Sequence, residues 1–385
     1  MTEPAAASQG SRWPTTSAIT AVTGRIFLLD RPQFTRQMPT FLPADRSGLV
    51  LCGRGGNTRI DTISRHATNI PVLIDPGAYQ DEVATADAPF SLPGDDGMLF
   101  GADLDTVLDG QRDSHATAAI TPSRYVQAGD SAAFKALVHA AGQIKRDDVI
   151  VAVPVALPWL TQEQYLRQLI AGLQRIRHPK ALMFGAQRNP FDDAAAIPNF
   201  RRLLAETTDV GLWRADVPAA FDCIAHGGAF ATIGAGGSLR HLVPADEKPD
   251  ANNPGVHTPA VLLPTMLRYS EARFIADKYA NTLAPTCDCE ICDGASLGRF
   301  DSTNAEVRAT AHAHNAAVWT GWLSNLFDQP NTIQRQRWWR SVCSAAIDAH
   351  DQENARIRQA GAFKPSPALK KLANLPLPGE VPSQP

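Results

Sequence analysis

Long apolar runs are missing from this 385-residue chain. No stretch approaches the ~18 consecutive apolar residues that span a bilayer, so no membrane-crossing helix is expected. The start, Met1 to Ser17, is polar and rich in Ala and Ser. It lacks the basic stretch and apolar core of a secretory signal, and the expectation is a flexible leader over residues 1–20 and a cytoplasmic location. Excess positive charge is missing too: 36 Lys and Arg stand against 39 Asp and Glu, for a formal net charge of -3. Any polyanion site must therefore be a local patch. Nucleotide fingerprints are absent. The glycine turn Gly234–Ser238 is not followed by Lys-Ser/Thr, which excludes a triphosphate loop, and it lacks the Gly-x-Gly-x-x-Gly spacing of a dinucleotide site. There is no internal repeat. Cysteine is scarce, at six, and three of the six fall between Cys287 and Cys292. Such clustering points to metal ligation in a reducing compartment and away from a disulfide framework. The isolated Cys52, Cys223 and Cys343 read as small buried apolar residues.

What is present suits a large core. Hydrophobic residues make up 44% and charged residues 19%, which excludes global disorder. Short apolar, β-branched runs recur at Gly24–Leu29, Gly48–Cys52, Pro71–Ile74, Val149–Val155, Ala181–Gly185, Val210–Arg214, Phe230–Ile233 and Ala260–Leu263. Continuous apolar runs fit parallel strands covered on both faces. Helical spacing lies between them, as in Thr161–Arg177 with Thr161 at its N-cap, in Phe200–Glu206 and in Glu271–Tyr279. The alternation suits either a doubly wound sheet or a (β/α)8 barrel, and eight strands favour the barrel. The expected organisation is an α/β, (β/α)8 TIM barrel over 21–280, a zinc-binding lobe with C-terminal helices over 281–363 (Val307–Leu326 and Asn331–Gln359), and a disordered tail over 364–385.

The turn Cys287-Asp288-Cys289-Glu290-Ile291-Cys292 offers three thiolates, and a fourth ligand must complete the tetrahedron that zinc prefers. His312 and His314 follow in a helical segment. Two residues apart, they face different sides, so only one should ligate. Three cysteines and one histidine leave no open position, which makes the expected Zn2+ structural.

The Cys-x-Cys-x-x-Cys turn with His314-Asn315 resembles the zinc site of the tRNA-guanine transglycosylases, and this favours His314 over His312. Leu73-Ile74-Asp75-Pro76-Gly77-Ala78-Tyr79-Gln80 resembles the family's Asp-Ser-Gly-Gly-Tyr/Phe-Gln motif. Ile120-Thr121-Pro122-Ser123 with Gln127 resembles its Thr-Pro-Glu...Gln stretch, and Met183–Gln187 its Phe-Gly-x-x-Gln. Order and spacing agree over about residues 70–320. Two further segments, Gly211–Asp216 and Ile233–His241, resemble the family's DNA-modifying paralogues, which insert 7-deazaguanine bases such as 7-cyano-7-deazaguanine. The chain also departs from the pattern. Val149–Val155 runs into Ala156-Leu157-Pro158-Trp159 without the family's base-reading acid. Ala260–Thr265 lacks its nucleophilic aspartate, and Phe221-Asp222-Cys223 spells that motif too early in the chain.

The resemblance implies a pentosyltransferase that exchanges a guanine of DNA for a 7-deazaguanine base through a covalent glycosyl-aspartate. It implies DNA and the free base as partners, together with accessory DNA-modification proteins and a homodimer formed through the zinc lobe. The same chemistry on tRNA, and a non-catalytic zinc-containing nucleic-acid-binding partner, stand as alternatives. Base exchange needs a carboxylate that attacks the anomeric carbon and a group that manages protons. Asp75, at a strand end before Pro-Gly, takes the acid/base role by resemblance; its alternative is a turn cap. Asp216 takes the nucleophile role; its alternative is an ion-pair partner of Arg214. Tyr79 is a stacking platform for the base. Gln80 and Gln187 suit a purine edge. Arg240 and His241 suit a phosphate or base, with Lys145, Arg146, Arg335, Arg337, Arg340 and the basic loop Cys52–Arg59 as further phosphate contacts.

Overall fold

The computed structural model describes residues 17–32, 42–53, 58–67, 69–93, 103–247, 257–377 and 380. Residues 1–16 of the expected leader, residues 54–57 of the basic loop and 381–385 of the tail lie outside them.

Eight parallel strands curve into a nearly closed barrel. They are β1 (Arg25–Asp30), β2 (Ser47–Cys52), β3 (Val72–Asp75), β4 (Ala119–Ile120), β5 (Val149–Ala156), β6 (Lys180–Gly185), β7 (Val210–Ala215) and β8 (Phe230–Gly234), in the order β3-β2-β1-β8-β7-β6-β5-β4. Sheet pairing ends at β3 and β4, and Thr117 spans the seam. Its N–H donates to the Val72 carbonyl at 2.7 Å, and its Oγ1 accepts from the Val72 N–H at 3.0 Å. Every residue of β3, β5, β6, β7 and β8 is buried, as strands covered by helices outside and by side chains inside require. The interior is tight: a Cβ on Gly211 would lie 2.4 Å from the Phe230 ring.

Seven of the expected strands form the barrel. The eighth expectation, Ala260–Leu263, is corrected. This segment is β9, which pairs antiparallel with β10 (Arg268–Glu271) in a separate two-stranded ribbon. The true closing strand, β4, has only two residues, too few to show a pattern in the sequence. The ribbon packs on the helix Ala305–Thr320, where the Asn315 side chain accepts from Leu262 N–H at 2.7 Å and donates to the Ala260 carbonyl at 2.8 Å. The ribbon thus belongs with the C-terminal lobe that carries Cys287, Cys289 and Cys292, and barrel strands end at Gly234.

Smaller corrections follow from local chemistry. The helix expected from Thr161 starts instead at Glu163, because Pro158–Thr161 forms its own turn and Gln162 is the N-cap. Val307–Leu326 divides at Gly321 into Ala305–Thr320 and Leu323–Phe327. Of the leader, Ala18–Val22 is a helical turn capped by Ser17 and tied under the barrel by Ala18 N–H to the Asp147 carbonyl at 2.8 Å. The tail is not disordered throughout. Pro367–Asn374 is a helix with Ser366 as N-cap and Pro at its first position, where the missing N–H costs nothing. It buries Ala368, Leu369, Leu372 and Ala373, and Ala368 N–H donates to Asp192 Oδ1 at 3.1 Å. No helix among the described residues is long and apolar enough to cross a membrane.

Candidate functional site

Two sites stand out, a four-residue cluster in the lobe and the C-terminal mouth of the barrel. In the lobe, Cys287, Cys289, Cys292 and His314 bring their ligand atoms within 4.8 Å of one another. The turn is closed by Gly294 N–H to the Cys287 carbonyl at 3.0 Å and Cys292 N–H to the Cys289 carbonyl at 2.9 Å. His314 Nδ1 lies 3.5 Å from Cys289 Sγ and 3.3 Å from Cys292 Sγ. A tetrahedral zinc with ordinary bond lengths sets such S···N separations at about 3.6 Å, so the residues fit the ion. The outer contacts fit as well. His314 Nε2 meets the Leu262 carbonyl at 2.9 Å, which fixes the ring and leaves Nδ1 for a metal. Arg299 Nη2 donates to Cys292 Sγ at 3.3 Å, placing a cation beside the thiolates. His312 stays out of the cluster, as expected. Burial holds its pKa down at about 4, helped by the positive charges of Arg240 and Arg308.

At the mouth, Asp75 ends β3 and is 1% exposed. Its Oδ2 accepts from the Tyr79 hydroxyl and, at 3.2 Å, from Trp213 Nε1. Arg214 donates from Nε to the Tyr79 hydroxyl at 2.8 Å and approaches Asp75 Oδ2 at 3.7 Å through Nη2. Oδ1 accepts from Gly77 N–H at 3.0 Å. This clamp joins β3 to β7 across the barrel. It depends on an irregularity in β7: Arg214 has a left-handed φ of 56°, the β7–β8 register shifts between Leu212 and Ala215, and Arg214 N–H donates to Thr232 Oγ1 at 2.8 Å. A bulge of this kind re-aims consecutive side chains, and here both Trp213 and Arg214 reach the same carboxylate. Burial drives the Tyr79 pKa well above its ordinary value, against the pull of Arg214, and Asp75 adds to the rise. Tyr79 is therefore a neutral donor that is buried against the carboxylate. It stands where the resemblance puts a stacking platform, but its ring face is occupied by Arg214, whose Cζ lies 5.2 Å from the ring centroid.

Other expected residues fall elsewhere. Asp216 caps the helix Val217–Ala225: Oδ1 accepts from Ala219 N–H at 3.0 Å and Oδ2 from Asn189 Nδ2 at 3.0 Å. Burial raises its pKa. Oδ1 thus serves the cap and Oδ2 the Asn189 amide, and Asp216 stands apart from the cluster of Asp75, Tyr79, Trp213 and Arg214. Gln80 is exposed and folds back on its own turn, with Nε2 3.4 Å from the Gly77 carbonyl. Gln187 donates to Glu247 Oε2 at 2.8 Å, and Gln127 donates to Asp246 Oδ2 at 2.5 Å. These two amides hold a strap that begins where Leu242 accepts from Ala186 N–H at 2.8 Å, so the segment after β8 crosses the end of β7 to reach β6. Arg240 serves its own turn, donating from Nε to the Gly234 carbonyl at 3.1 Å and from Nη2 to the Ala235 carbonyl at 3.0 Å. His241 lies beside the mouth. Burial lowers its pKa, the Gln187 backbone opposes this, and Arg214 and Arg240 add to the lowering, so its imidazole is neutral near pH 7. Among the described residues, Arg146, Arg340 and Arg335 are each held by other partners. Arg146 pairs with Asp148 and Asp109, both at 2.7 Å, at the opposite end of the barrel; Arg340 pairs with Glu380; Arg335 Nε donates to the Leu326 carbonyl at 3.1 Å.

Sequence reasoning passed over Asp30, which ends β1. It is 1% exposed, burial pushes its pKa up to about 7, and its Oδ2 has no hydrogen-bond partner among the described residues. The only sequence signal was an acid closing the apolar run Arg25–Asp30. Register explains why it does not join Asp75. Cys52 pairs laterally with Asp75, whereas Asp30 pairs with Leu51 and so projects from the other face of the sheet.

No family model matches the sequence, and no curated protein sequence matches it. Among solved structures the chain is similar to catalytic-site mutants of active domain 2 of a chitinase from Pyrococcus furiosus. One, described as thermostable and complexed with chito-oligosaccharides, is 11% identical with a TM-score of 0.31, covering 62% of this chain and 94% of that one. Another is 11% identical with a TM-score of 0.30, covering 60% and 93%. Scores this low carry no argument about activity. The chain is an α/β barrel of the TIM type with a Cys3His cluster in an appended lobe.

Proposed function

We propose that this protein is a base-exchange glycosyltransferase that replaces a guanine of DNA with a 7-deazaguanine base such as 7-cyano-7-deazaguanine, with a structural zinc in its lobe. One observation carries the reading. Asp75 and Tyr79 come from the stretch that resembles the family's Asp-...-Tyr/Phe-Gln motif, and Trp213 and Arg214 from the stretch that resembles the DNA-acting branch. These segments, more than a hundred residues apart, close on one carboxylate at a barrel mouth, where barrel enzymes do their chemistry.

The reading assigns the covalent role to Asp75 in place of Asp216. Tyr79, Trp213 and Arg214 hold Oδ2, while Oδ1 carries only the Gly77 N–H and keeps a lone pair for the anomeric carbon. Attack at C1′ breaks the bond to the guanine, whose ring nitrogen keeps the electron pair and takes up a proton. The incoming base then loses its ring N–H proton as that nitrogen attacks C1′, and Asp75 leaves as carboxylate. The neutral imidazole of His241 is assigned to take the proton of the incoming base, while the leaving guanine draws its proton from solvent water, whose hydroxide the imidazolium then neutralises. Cys287, Cys289, Cys292 and His314 would hold zinc with no open position, and the ion would supply rigidity to the lobe. The glycosidic carbon is buried in a duplex, so the target nucleotide must be extruded or single-stranded.

The test is to incubate the purified protein with plasmid DNA or bulk tRNA and labelled 7-cyano-7-deazaguanine, then digest to nucleosides. Label in deoxynucleoside is expected. Label only in ribonucleoside would move the substrate to tRNA. No label, with zinc bound, would leave a non-catalytic partner protein and refute the enzyme reading. Asp75→Asn is expected to abolish incorporation with the zinc content unchanged.

A further inference from the structure

The zinc cluster and the barrel mouth are joined by a short run of direct contacts. His314 takes the Leu262 carbonyl on Nε2 at 2.9 Å, and its neighbour Asn315 takes the Leu262 N–H at 2.7 Å, so one lobe helix grips both polar groups of a single β9 residue. Leu262 is the lateral partner of Tyr269 on β10. The face of the Tyr269 ring carries the Arg240 guanidinium, with Cζ 3.1 Å from the centroid. That guanidinium in turn holds the Gly234 and Ala235 carbonyls at 3.1 and 3.0 Å, at the end of β8. The turn has no slack. A Cβ on Gly234 would lie 2.4 Å from the Leu239 backbone, and Ala235 N–H is committed to the Leu29 carbonyl at 2.9 Å.

We propose that the metal cluster sets the geometry of the β8 turn at the barrel mouth, with Tyr269 and Arg240 as positioning residues that transmit the grip of His314 and Asn315 on Leu262. The physical reason lies in what each link fixes. A metal on Nδ1 locks the His314 ring, and a ring locked there aims Nε2 at one carbonyl. Pairing in an antiparallel ribbon makes Leu262 and Tyr269 move together. A planar guanidinium stacked on a ring and bonded to two carbonyls has one orientation that satisfies all three partners. Arg240 also bears electrostatically on the buried Asp216 and on His312 of the lobe helix, so its displacement would disturb the β7 end as well. A lobe that merely folded around its metal would need neither Tyr269 nor Arg240 in these positions.

The test is amide hydrogen exchange on the full chain, which reads this coupling independently of any base-exchange activity. Metal content is first measured by elemental analysis. In the wild type, removing the metal with a chelator is expected to speed exchange at least tenfold in 260–271 and also in 234–241, where Ala235, Leu239 and Arg240 N–H groups are bonded, while β3 stays protected. Tyr269→Leu with metal bound is expected to show the 234–241 acceleration alone, and chelation should add little there. Tyr269→Phe, which keeps the ring, is expected to behave as wild type. Should Tyr269→Leu fail to fold, Arg240→Lys, which keeps the charge and loses the fork, is expected to loosen 234–241 in the same way. The proposal is overturned if the purified protein holds no metal, if chelation opens 260–271 and leaves 234–241 unchanged, or if the folded variants exchange in 234–241 as the wild type does. Because no step uses DNA or a base, failure of the exchange measurements leaves the base-exchange reading standing, and the reverse holds too, whereas an absence of metal counts against the structural zinc of both.

Discussion

Replacing Arg214 by Met tests the clamp at the barrel mouth most directly. The Asp75 and Arg214 side chains are 1% and 3% exposed, with Nη2 and Oδ2 3.7 Å apart. Two unit charges at that distance attract by about 4–5 kcal/mol at an effective dielectric of about 20. Met fills much of the same volume but leaves a buried carboxylate whose counter-charge is gone. Breaking a buried pair from one side costs roughly 3–5 kcal/mol. For 385 residues, at an unfolding entropy of about 2.1 cal/mol/K per residue, that corresponds to a fall in Tm of roughly 4–6 °C. The assay is thermal and urea unfolding of Arg214→Met, of Asp75→Asn and of the double variant. Each single change is expected to destabilise strongly, and the double variant by clearly less than their sum, with a coupling of at least about 1 kcal/mol. Single costs below about 1 kcal/mol, or strict additivity, would show that water screens the pair and that the mouth is not the closed electrostatic clamp described above.

Three further outcomes are expected. Cys292→Ser removes one thiolate, so elemental analysis should show metal content falling well below one ion per chain and the Tm should fall with it, whereas Cys343→Ser, outside the cluster, should leave the metal content unchanged. Asp216→Ala removes the N-cap of Val217–Ala225 and should cost about 1 kcal/mol in urea unfolding, yet keep base incorporation; loss of incorporation with the fold intact would restore Asp216 to the mechanism. Stability should also fall between pH 6.5 and about 4. Burial lowers the His226 pKa from 6.5 to about 4, with Asp222 opposing and Arg201 assisting. The unfolded chain therefore binds the proton first as pH drops, and stability present above 6.5 is lost toward about 4, by at most about 3 kcal/mol. His226→Gln should flatten that part of the profile, and an unchanged slope would remove His226 as its source.

Much of the molecule was legible in the chain alone. A continuous apolar run bounded by turn residues can be satisfied only where both faces are covered, so seven barrel strands could be read within a residue or two. Three thiolates and a histidine at that spacing can converge on one ion after local folding, so Cys287, Cys289 and Cys292 needed no knowledge of the rest, while the choice of His314 over His312 came from the resemblance. The helix that buries Ala368, Leu369, Leu372 and Ala373 was missed, because a proline-rich composition hid its short apolar stripe. Tertiary structure decided what depends on closing the barrel. The two-residue β4 has no local signal and exists because its neighbours leave a gap of one strand. Whether Ala260–Leu263 joins the barrel or pairs with Arg268–Glu271 is a choice between partners, which no local pattern encodes. The same holds for the carboxylates: Asp75 and Asp30 each end a strand, Asp216 directly follows one, and the three look alike in sequence. Register turns Asp75 toward a bulged β7, gives Asp216 to a helix cap and turns Asp30 to the outer face, because a side chain's direction in a sheet alternates with every residue while the chemistry of the residue does not.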